Sequence, residues 1–315
     1  MQRPILLVRT GGEQAVPEWQ ALFAQTAPHL DVRWFHDKEV DPADVAYAFV
    51  WAPEPGRLAA LPNLRLIVSS GAGVDHITSD PAWPSHVGLV RMGGDETGQR
   101  MGEYVSLAAL ALLRDLPRMI AGQRARQWDN FDAARSAPEV TVGIMGLGNL
   151  GQASARMLQG LGFRVIGWSR SPKSCPGVTG YAGPSERSAF VACADILVNL
   201  LPDTPETARM IDARLLAGLP RGAGVVNAGR GPQLVLDDLL AALDSGQVGG
   251  AVLDVFEEEP LPAEHPAWAH PRVVVTPHLA SQSSRPARAR YVADAIAAFE
   301  RGERPPNLYD PARGY

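Results

Sequence analysis

The sequence predicts an α/β fold of two domains, each built on a doubly wound parallel sheet. The chain of 315 residues is longer than a single compact core usually serves. Short apolar runs alternate with longer helical patterns throughout, as they do in parallel βα units. Hydrophobic residues make up 46% and charged residues 20% of the chain, which is the balance of an ordinary globular protein with enough apolar side chains to form cores.

Apolar runs in the first part of the chain predict the strands of a first sheet. They are Ile5 to Val8, Val32 to Phe35, Ala46 to Trp51, Leu64 to Val68 and Val87 to Val90. Pro17 to Ala27 predicts a helix with proline in its first turn, where the missing N–H is not needed. Gly102 to Arg126 predicts one long helix that Pro117 should kink or end.

A second series of apolar runs predicts six further strands with helices between them. They are Val140 to Met145, Arg164 to Trp168, Asp195 to Leu201, Gly224 to Asn227, Gly250 to Leu253 and Val273 to Thr276. Ala287 to Glu300 predicts a last helix that returns to the first domain. We expect residues 1–98 and 283–315 to form the first domain, and residues 99–282 to form the second.

Charge and cysteine content bear on partners and compartment. The net charge is −5 with acids and bases interspersed, which argues against a nucleic-acid surface because such surfaces cluster Lys and Arg. Cys175 and Cys193 lack metal-ligand spacing and are too few for a disulfide framework. No run reaches the apolar length of a signal core or a membrane span. A cytoplasmic protein without nucleic-acid or membrane partners is expected.

A glycine-rich loop follows the first strand of the second series. Val142-Gly143-Ile144-Met145 runs into Gly146-x-Gly148-x-x-Gly151, and a helical pattern continues through Leu161. In a strand–turn–helix unit, such glycines allow a tight turn, close approach to a pyrophosphate and close helix packing. The helix N-terminus adds free N–H groups and partial positive charge. The loop therefore predicts a Rossmann-like dinucleotide site.

The end of the next strand indicates which dinucleotide is bound. NAD-binding sheets usually carry an acidic residue there to hold the ribose 2′-hydroxyl. This chain has Ser169-Arg170-Ser171, with Lys173 just beyond. A guanidinium can hold a 2′-phosphate through two charge-assisted hydrogen bonds, whereas a carboxylate would repel it. NADP is the expected cofactor, with NAD weaker; the alternative is that Arg170 is an ordinary surface arginine.

Candidate catalytic side chains follow three of the predicted strands. Arg230 comes just after the strand that ends at Asn227, and His278 follows Val274-Val275-Thr276-Pro277. Asp254 to Glu259 supplies four acids after a third strand. Ligands of open α/β sheets bind at the carboxyl ends of the strands, so these groups are expected to converge in an active-site cleft between the two domains.

At these residues the sequence resembles the D-isomer-specific 2-hydroxyacid dehydrogenase family. The matching motifs are the glycine loop, Asn227-x-x-Arg230-Gly231, Leu253-Asp254-Val255-Phe256-x-x-Glu259-Pro260 and Thr276-Pro277-His278. Their order and spacing match as well, and the resemblance covers nearly the whole chain. Within the family the sequence is most similar to the bacterial glyoxylate/hydroxypyruvate reductase A group.

The resemblance implies NADPH-dependent reduction of glyoxylate to glycolate and of hydroxypyruvate to D-glycerate. His278 would be the general acid, and Glu259 would lie against its other ring nitrogen. Arg230 would bind the substrate carboxylate and polarise the carbonyl. No metal is expected, because His278 and Arg230 already supply the proton and the electrophilic assistance. The resemblance also implies a homodimer joined through the cofactor domains.

Further binding residues are expected on both sides of the cleft. The cofactor set is Gly146, Gly148, Asn149, Leu150, Gly151, Ser169, Arg170, Ser171, Lys173, Leu201, Pro202, Ala228, Gly229 and Asp254. The substrate set is Trp51, Ala72 and Gly73, together with Arg230 and His278. Three simpler interpretations stay open: Trp51 as a core residue, the loop holding Ala72 and Gly73 as a plain turn, and Asp254 as a group that orders its loop.

Alternative functions also remain at this stage. A reductase of a bulkier 2-keto acid would need room around Trp51 and the loop from Met92 to Met101. A non-catalytic NAD(P)-sensing regulator could use the same scaffold, but such a sensor has no need of Arg230, Glu259 and His278 together. A hydrolase finds no support, because the sequence has neither a nucleophile elbow nor a triad order.

Overall fold

The contacts of the chain divide it into two compact units. In the computed structural model, the first unit comprises Met1–Thr97 and Gln282–Tyr315, and the second comprises Gly98–Ser281. The structure describes residues 3–132, 135–312 and 314. Residues 1, 2, 313 and 315 of the predicted first domain, and residues 133 and 134 of the predicted second domain, lie outside the described residues.

The first unit contains a parallel sheet of five strands. These are β1 Ile5–Arg9, β2 Asp31–Trp34, β3 Val45–Val50, β4 Leu66–Ser69 and β5 Gly88–Val90, in the order β2-β1-β3-β4-β5. Successive side chains of a strand point to opposite faces. Leu6 and Val8 accordingly join one core cluster with Trp19, while Ile5 and Leu7 join another. Both faces are covered, as a parallel sheet requires.

The second unit contains a parallel sheet of seven strands. These are β6 Thr141–Met145, β7 Arg164–Ser169, β8 Thr179–Ala182, β9 Ile196–Asn199, β10 Ala223–Asn227, β11 Val248–Leu253 and β12 Val273–Val275. Their order is β12-β11-β10-β9-β6-β7-β8, so the strand order reverses between β6 and β9. Such a switch point is where open α/β sheets bind ligands. The prediction of two parallel α/β sheets is confirmed.

Helices connect the strands of both sheets. They are α1 Val16–Thr26, α2 Asp75–Thr78, α3 Asp95–Leu113, α4 Leu116–Ala125, α5 Asn149–Gly160, α6 Gly183–Ala192, α7 Ala213–Ala217, α8 Leu236–Asp244 and α9 Arg285–Glu300. Helix α9 packs with α1 in the first unit. Among the described residues, no helix is long and apolar enough to cross a membrane.

The structure corrects the predicted helix from Gly102 to Arg126. Helix α3 already begins at Asp95, where Asp95 and Glu96 lie in its first turn and complement the helix dipole. The helical run ends at Leu113, and Asp115 adopts a left-handed backbone with φ of 50°. Pro117 therefore lies in the first turn of α4, where its missing N–H is tolerated, and the break precedes it.

The prediction of six strands in the second series is also wrong, because β8 makes a seventh. Its residues Thr179–Ala182 are exposed or half-buried, as befits a strand at the edge of a sheet that pairs only with β7. The sequence of β8, Thr-Gly-Tyr-Ala, has no apolar run, so the pattern used for the buried strands does not detect it.

Candidate active site

The glycine loop joins β6 to α5. Gly146 has φ of +103°, and a Cβ there would lie 2.7 Å from the Leu200 carbonyl oxygen, so this turn requires glycine. A Cβ on Gly151 would collide with the Gly146 carbonyl group. A Cβ on Gly148, the N-cap of α5, would meet no atom of the described residues within 4 Å. The loop is therefore closely packed at Gly146 and Gly151 and open at Gly148. This arrangement fits a pyrophosphate at the helix N-terminus.

The end of β7 presents polar and basic groups beside this loop. Ser169 is buried, with 6% of its surface exposed, and its Oγ has no hydrogen-bond partner among the described residues. Arg170, Ser171 and Lys173 follow on the exposed surface. Buried hydroxyls are normally hydrogen-bonded, so an unsatisfied Ser169 next to two cationic side chains fits an anionic ligand group at this strand end.

A chain of buried amides fixes the turns after β9 and β10. Asn199 Nδ2 donates to Asn227 Oδ1 at 2.9 Å and to Gln233 Oε1 at 2.6 Å. Gln233 Nε2 donates in turn to the carbonyl oxygen of Pro202 at 2.7 Å. All three amide side chains are 0% exposed. Because a satisfied buried polar network is rigid, the turns that carry Leu201, Pro202, Ala228 and Gly229 are held in one arrangement.

Arg230 is placed by the same network. Gln233 Oε1 accepts a hydrogen bond from the Arg230 N–H at 3.0 Å. The Arg230 Nη1 donates to the carbonyl oxygen of Gly229 at 2.8 Å. The residue directly follows β10 and is half-buried, so its guanidinium is anchored at the carboxyl edge of the sheet, where ligands bind.

His278 and Glu259 form a hydrogen-bonded pair in the same unit. His278 Nδ1 lies 2.7 Å from Glu259 Oε2, and their side chains are 31% and 35% exposed. Glu259 Oε1 accepts a hydrogen bond from the Phe256 N–H at 2.9 Å. Burial favours a raised pKa for Glu259, but the hydrogen bonds from His278 and Phe256 and the charges of His278 and Arg230 lower the pKa below its ordinary value. Glu259 is therefore a carboxylate at neutral pH.

Asp254 holds the backbone turn on which His278 lies. Its carboxylate accepts hydrogen bonds from the Thr276 hydroxyl at 2.6 Å, the Leu279 N–H at 3.0 Å and the Ala280 N–H at 2.8 Å. His278 has φ of +51°, a left-handed conformation that histidine seldom adopts. These contacts order the loop; a contact between Asp254 and the cofactor stays a prediction.

Replacing Asp254 with Asn should destabilise the protein by about 2–3 kcal/mol, because a buried charge-assisted acceptor is lost and an amide faces backbone N–H groups. Urea unfolding measures the change in the free energy of unfolding. Asp237 is exposed in the first turn of α8, and Asp237→Asn serves as the control, with an expected cost below about 1 kcal/mol. Equal costs for the two variants would contradict the role given to Asp254.

Residues expected on the substrate side lie together in the first unit. Trp51 follows β3, and Ala72 and Gly73 lie in the loop after β4; these two strands are neighbours in the sheet. All three residues are half-buried, so each retains an accessible surface. The structure thus brings Trp51, Ala72 and Gly73 together in one unit, and Arg230, Glu259 and His278 together in the other.

Sequence reasoning missed the amides Asn199 and Gln233. A signal was present for both, because Asn199 ends the apolar run Ile196-Leu197-Val198 and Gln233 precedes the apolar pair Leu234-Val235. A polar residue that interrupts an apolar run is often a buried, hydrogen-bonded group. Within the described residues, no group of three or more His, Cys, Asp or Glu side chains could hold a metal ion.

Comparisons with known proteins agree on the relatives of this chain. The model of the D-isomer specific 2-hydroxyacid dehydrogenase NAD-binding domain matches residues 106–280. Glyoxylate/hydroxypyruvate reductase A of Serratia proteamaculans (strain 568) is 40% identical over 303 residues, covering 95% of this chain and 96% of that protein.

Solved structures of relatives match over the full length. A D-isomer specific 2-hydroxyacid dehydrogenase from Xanthobacter autotrophicus Py2, in complex with NADPH and MES, is 39% identical with a TM-score of 0.93 and full coverage (100%) of both chains. An NADPH-dependent glyoxylate/hydroxypyruvate reductase from Sinorhizobium meliloti, in complex with NADP and sulfate, is 39% identical with a TM-score of 0.92 and covers 99% of this chain and 100% of its own. The Rossmann-type fold and the resemblance read from the motifs are confirmed: this chain belongs to the D-isomer specific 2-hydroxyacid dehydrogenase family.

Proposed function

We propose that this protein is a reductase that uses NADPH to convert glyoxylate to glycolate and hydroxypyruvate to D-glycerate. The observation that carries the proposal is the 2.7 Å contact between His278 Nδ1 and Glu259 Oε2. His278 follows β12, and the glycine loop that fits a dinucleotide follows β6 of the same sheet. Two relatives that are similar over nearly the full chain are named glyoxylate/hydroxypyruvate reductases, which supports the choice of substrate class.

Bound NADPH would supply the hydride for the carbonyl carbon. The residues proposed to hold it are the glycine-loop and strand-end residues Gly146, Gly148, Asn149, Leu150, Gly151, Ser169, Arg170, Ser171, Lys173, Leu201, Pro202, Ala228, Gly229 and Asp254. The open surface of Gly148 and the unsatisfied Ser169 hydroxyl support this assignment. NAD is proposed to bind more weakly, because Arg170 and Lys173 suit a 2′-phosphate rather than a bare ribose hydroxyl.

His278 acts as the acid in this proposal. Its Nδ1 is engaged by Glu259, so Nδ1–H donates to the carboxylate and Nε2 carries the proton that moves to the substrate oxygen. Glu259 stabilises the imidazolium before the proton is transferred, and its hydrogen bond to Nδ1 keeps the ring in one orientation. A histidine suits this exchange because its ordinary pKa is close to neutral.

Arg230 is proposed to bind the substrate carboxylate. A guanidinium presents parallel N–H donors that match a carboxylate, and the Arg230 charge polarises the neighbouring carbonyl. In the first unit, Ala72 and Gly73 are proposed to donate backbone N–H groups to a substrate carboxylate, and Trp51 to form a wall of the substrate pocket.

A spectrophotometric assay tests the function directly. Purified protein with NADPH and a panel of 2-keto acids should show loss of absorbance at 340 nm, fastest with glyoxylate and hydroxypyruvate. A faster reaction with phenylpyruvate would assign a bulkier substrate. Tight binding of NADPH without oxidation by any 2-keto acid would contradict the proposed activity and favour a sensor.

Arg170→Ala should lower kcat/KM with NADPH by about 10- to 100-fold, because a charge-assisted bidentate contact to the 2′-phosphate is lost. The value with NADH should change little. Arg156 is exposed on α5, and Arg156→Ala serves as the matched control. An unchanged ratio of NADPH to NADH efficiency in Arg170→Ala would contradict the assignment.

We also propose that the protein is a cytoplasmic homodimer joined through its cofactor units. Leu107 is 63%, Met119 40% and Trp128 97% exposed, and Leu110 and Leu116 are exposed in the same segment. Several large exposed apolar side chains within one segment of the chain favour an interface there. Both cysteines are free thiols, as a reducing compartment would keep them.

Light scattering should give a mass near twice the 33.7 kDa of the chain. Leu107→Glu should shift that mass toward the monomer, because a buried carboxylate in an apolar interface is costly. Leu161 is a large exposed apolar residue outside this segment, and Leu161→Glu is expected to leave the mass unchanged. A wild-type protein with the mass of one chain would disprove the dimer.

A further inference from the structure

We propose that His76 is a positioning residue for substrate recognition, because its imidazole fixes the Trp51 indole and, through Ser69, the loop of Ala72 and Gly73. The inference rests on the proposed reduction of 2-keto acids and adds a determinant of substrate size to it. The spacing of His76 in the sequence gives no indication of such a role; the indication comes from its contacts in the first unit.

The Trp51 ring lies against His76 and Gly71 in the first unit. The centroids of the Trp51 and His76 rings lie 4.2 Å apart, with an interplanar angle of 36°. A Cβ built on Gly71 would approach Trp51 Cζ3 to 2.5 Å, so the indole lies against the bare backbone of Gly71. Aromatic contacts stabilise an arrangement beyond the area they bury. His76 therefore restricts the indole to one pose.

Ser69 connects His76 to the substrate loop. Ser69 ends β4 and is fully buried, with 0% exposure. Its Oγ lies 3.2 Å from His76 Nε2 and 3.0 Å from the carbonyl oxygens of Gly71 and Gly73, and it accepts a hydrogen bond from the Gly71 N–H at 3.1 Å. These four contacts tie the imidazole to the backbone on both sides of Ala72.

The bonding capacity of Ser69 favours the His76 tautomer with a proton on Nε2. A hydroxyl donates one hydrogen and accepts two. The hydrogen goes to a loop carbonyl, and one lone pair accepts from the Gly71 N–H. The second lone pair is then available to a donor, and we assign that role to His76 Nε2–H, whose nitrogen lies 3.2 Å from the hydroxyl oxygen. His76 thus completes the hydrogen bonding of the hydroxyl that shapes the loop.

The backbone of Trp51 is fixed independently from the side of β1. The Trp51 N–H donates to the Arg9 carbonyl oxygen at 2.8 Å, and the Arg9 guanidinium donates to the carbonyl oxygens of Trp51 and Ala52. The remaining freedom of Trp51 is the rotation of its side chain. Because the half-buried indole is the proposed pocket wall, releasing it should enlarge the pocket and weaken contacts to small substrates.

Steady-state kinetics of His76→Ala and the conservative His76→Phe test the proposal. His76→Ala should raise KM for glyoxylate, and Ki for the unreactive analogue oxalate, by about tenfold, equivalent to one lost contact of ordinary strength. The kcat of His76→Ala and its KM for NADPH should stay within about twofold of the wild-type values, because the substitution changes neither the proposed cofactor residues nor the proposed acid. His76→Phe keeps an aromatic partner for Trp51 and should recover part of the loss.

A double-mutant cycle separates positioning from general structural damage. In a Trp51→Leu background, His76→Ala should raise KM by a clearly smaller factor than in the wild type, because only the contact through Ser69 to the loop is then left to lose. His86 is exposed in the same unit, and His86→Ala is the control. Unchanged KM and Ki in His76→Ala, or the full effect retained without Trp51, would overturn the proposal. A wild-type protein that reduces no 2-keto acid would instead overturn the proposed function, before any variant is made.

Discussion

His278→Asn is expected to lower kcat for glyoxylate by about three orders of magnitude, the middle of the range for removal of a positioned general acid. Asparagine is the best replacement because it tolerates the left-handed backbone that His278 adopts at φ of +51°. The asparagine amide can still donate a hydrogen bond to Glu259, so the fall in kcat reports the loss of the transferable proton alone. Stopped-flow or steady-state measurement of NADPH oxidation gives the ratio of kcat values.

Two comparisons make the His278 result specific. His86→Asn, at an exposed position, should keep wild-type kcat. Glu259→Gln should lose less activity than His278→Asn, because the ring remains and only its orientation and charge stabilisation suffer. Wild-type turnover in His278→Asn would show that another group supplies the proton.

Arg230→Lys is expected to lower kcat/KM for glyoxylate by about 100- to 1,000-fold, the effect of losing one preorganised donor to a developing oxyanion. Lysine keeps the positive charge but lacks the planar pair of N–H donors that a carboxylate accepts. Both kcat and KM should worsen, because the same side chain is proposed to bind the carboxylate and to polarise the carbonyl. The measurement is a full substrate titration at saturating NADPH.

Arg214 provides the matched control for this exchange. It is exposed on α7, and Arg214→Lys should leave both constants unchanged. The affinity for NADPH, measured by fluorescence titration, should also be unchanged in Arg230→Lys. If kcat/KM fell less than about threefold, Arg230 would be a structural ion-pair partner instead of a substrate ligand.

The sheets and the catalytic motifs could be predicted because their signals are local. An apolar strand, three glycines and a following helix identify the dinucleotide loop, and its geometry at Gly146 and Gly151 gives each glycine a steric reason. Arg230 and His278 each follow an apolar strand directly, so topology alone places them at the same edge of one sheet.

Contacts between distant parts of the chain could not be predicted. The proximity of Trp51 and His76 depends on the loops after β3 and β4. The periodicity of apolar residues in the sequence gives no information about such a contact. The three hydrogen bonds of Asp254 depend on the turn that follows β12. Strand β8 was missed for a different reason, since its exposed edge position leaves no apolar pattern to read.

The left-handed conformation of His278 sets the backbone preference of this position against its proposed role as the acid. Glycine adopts that backbone without steric cost, so His278→Gly would remove the backbone strain and the proposed acid in a single change, together with the contact to Glu259. Residues held in sparsely populated backbone regions are positions at which stabilising substitutions can cost activity, so variants selected for heat resistance alone need not keep this histidine. Engineering this enzyme for higher thermal stability must therefore screen variants for turnover as well as for melting temperature.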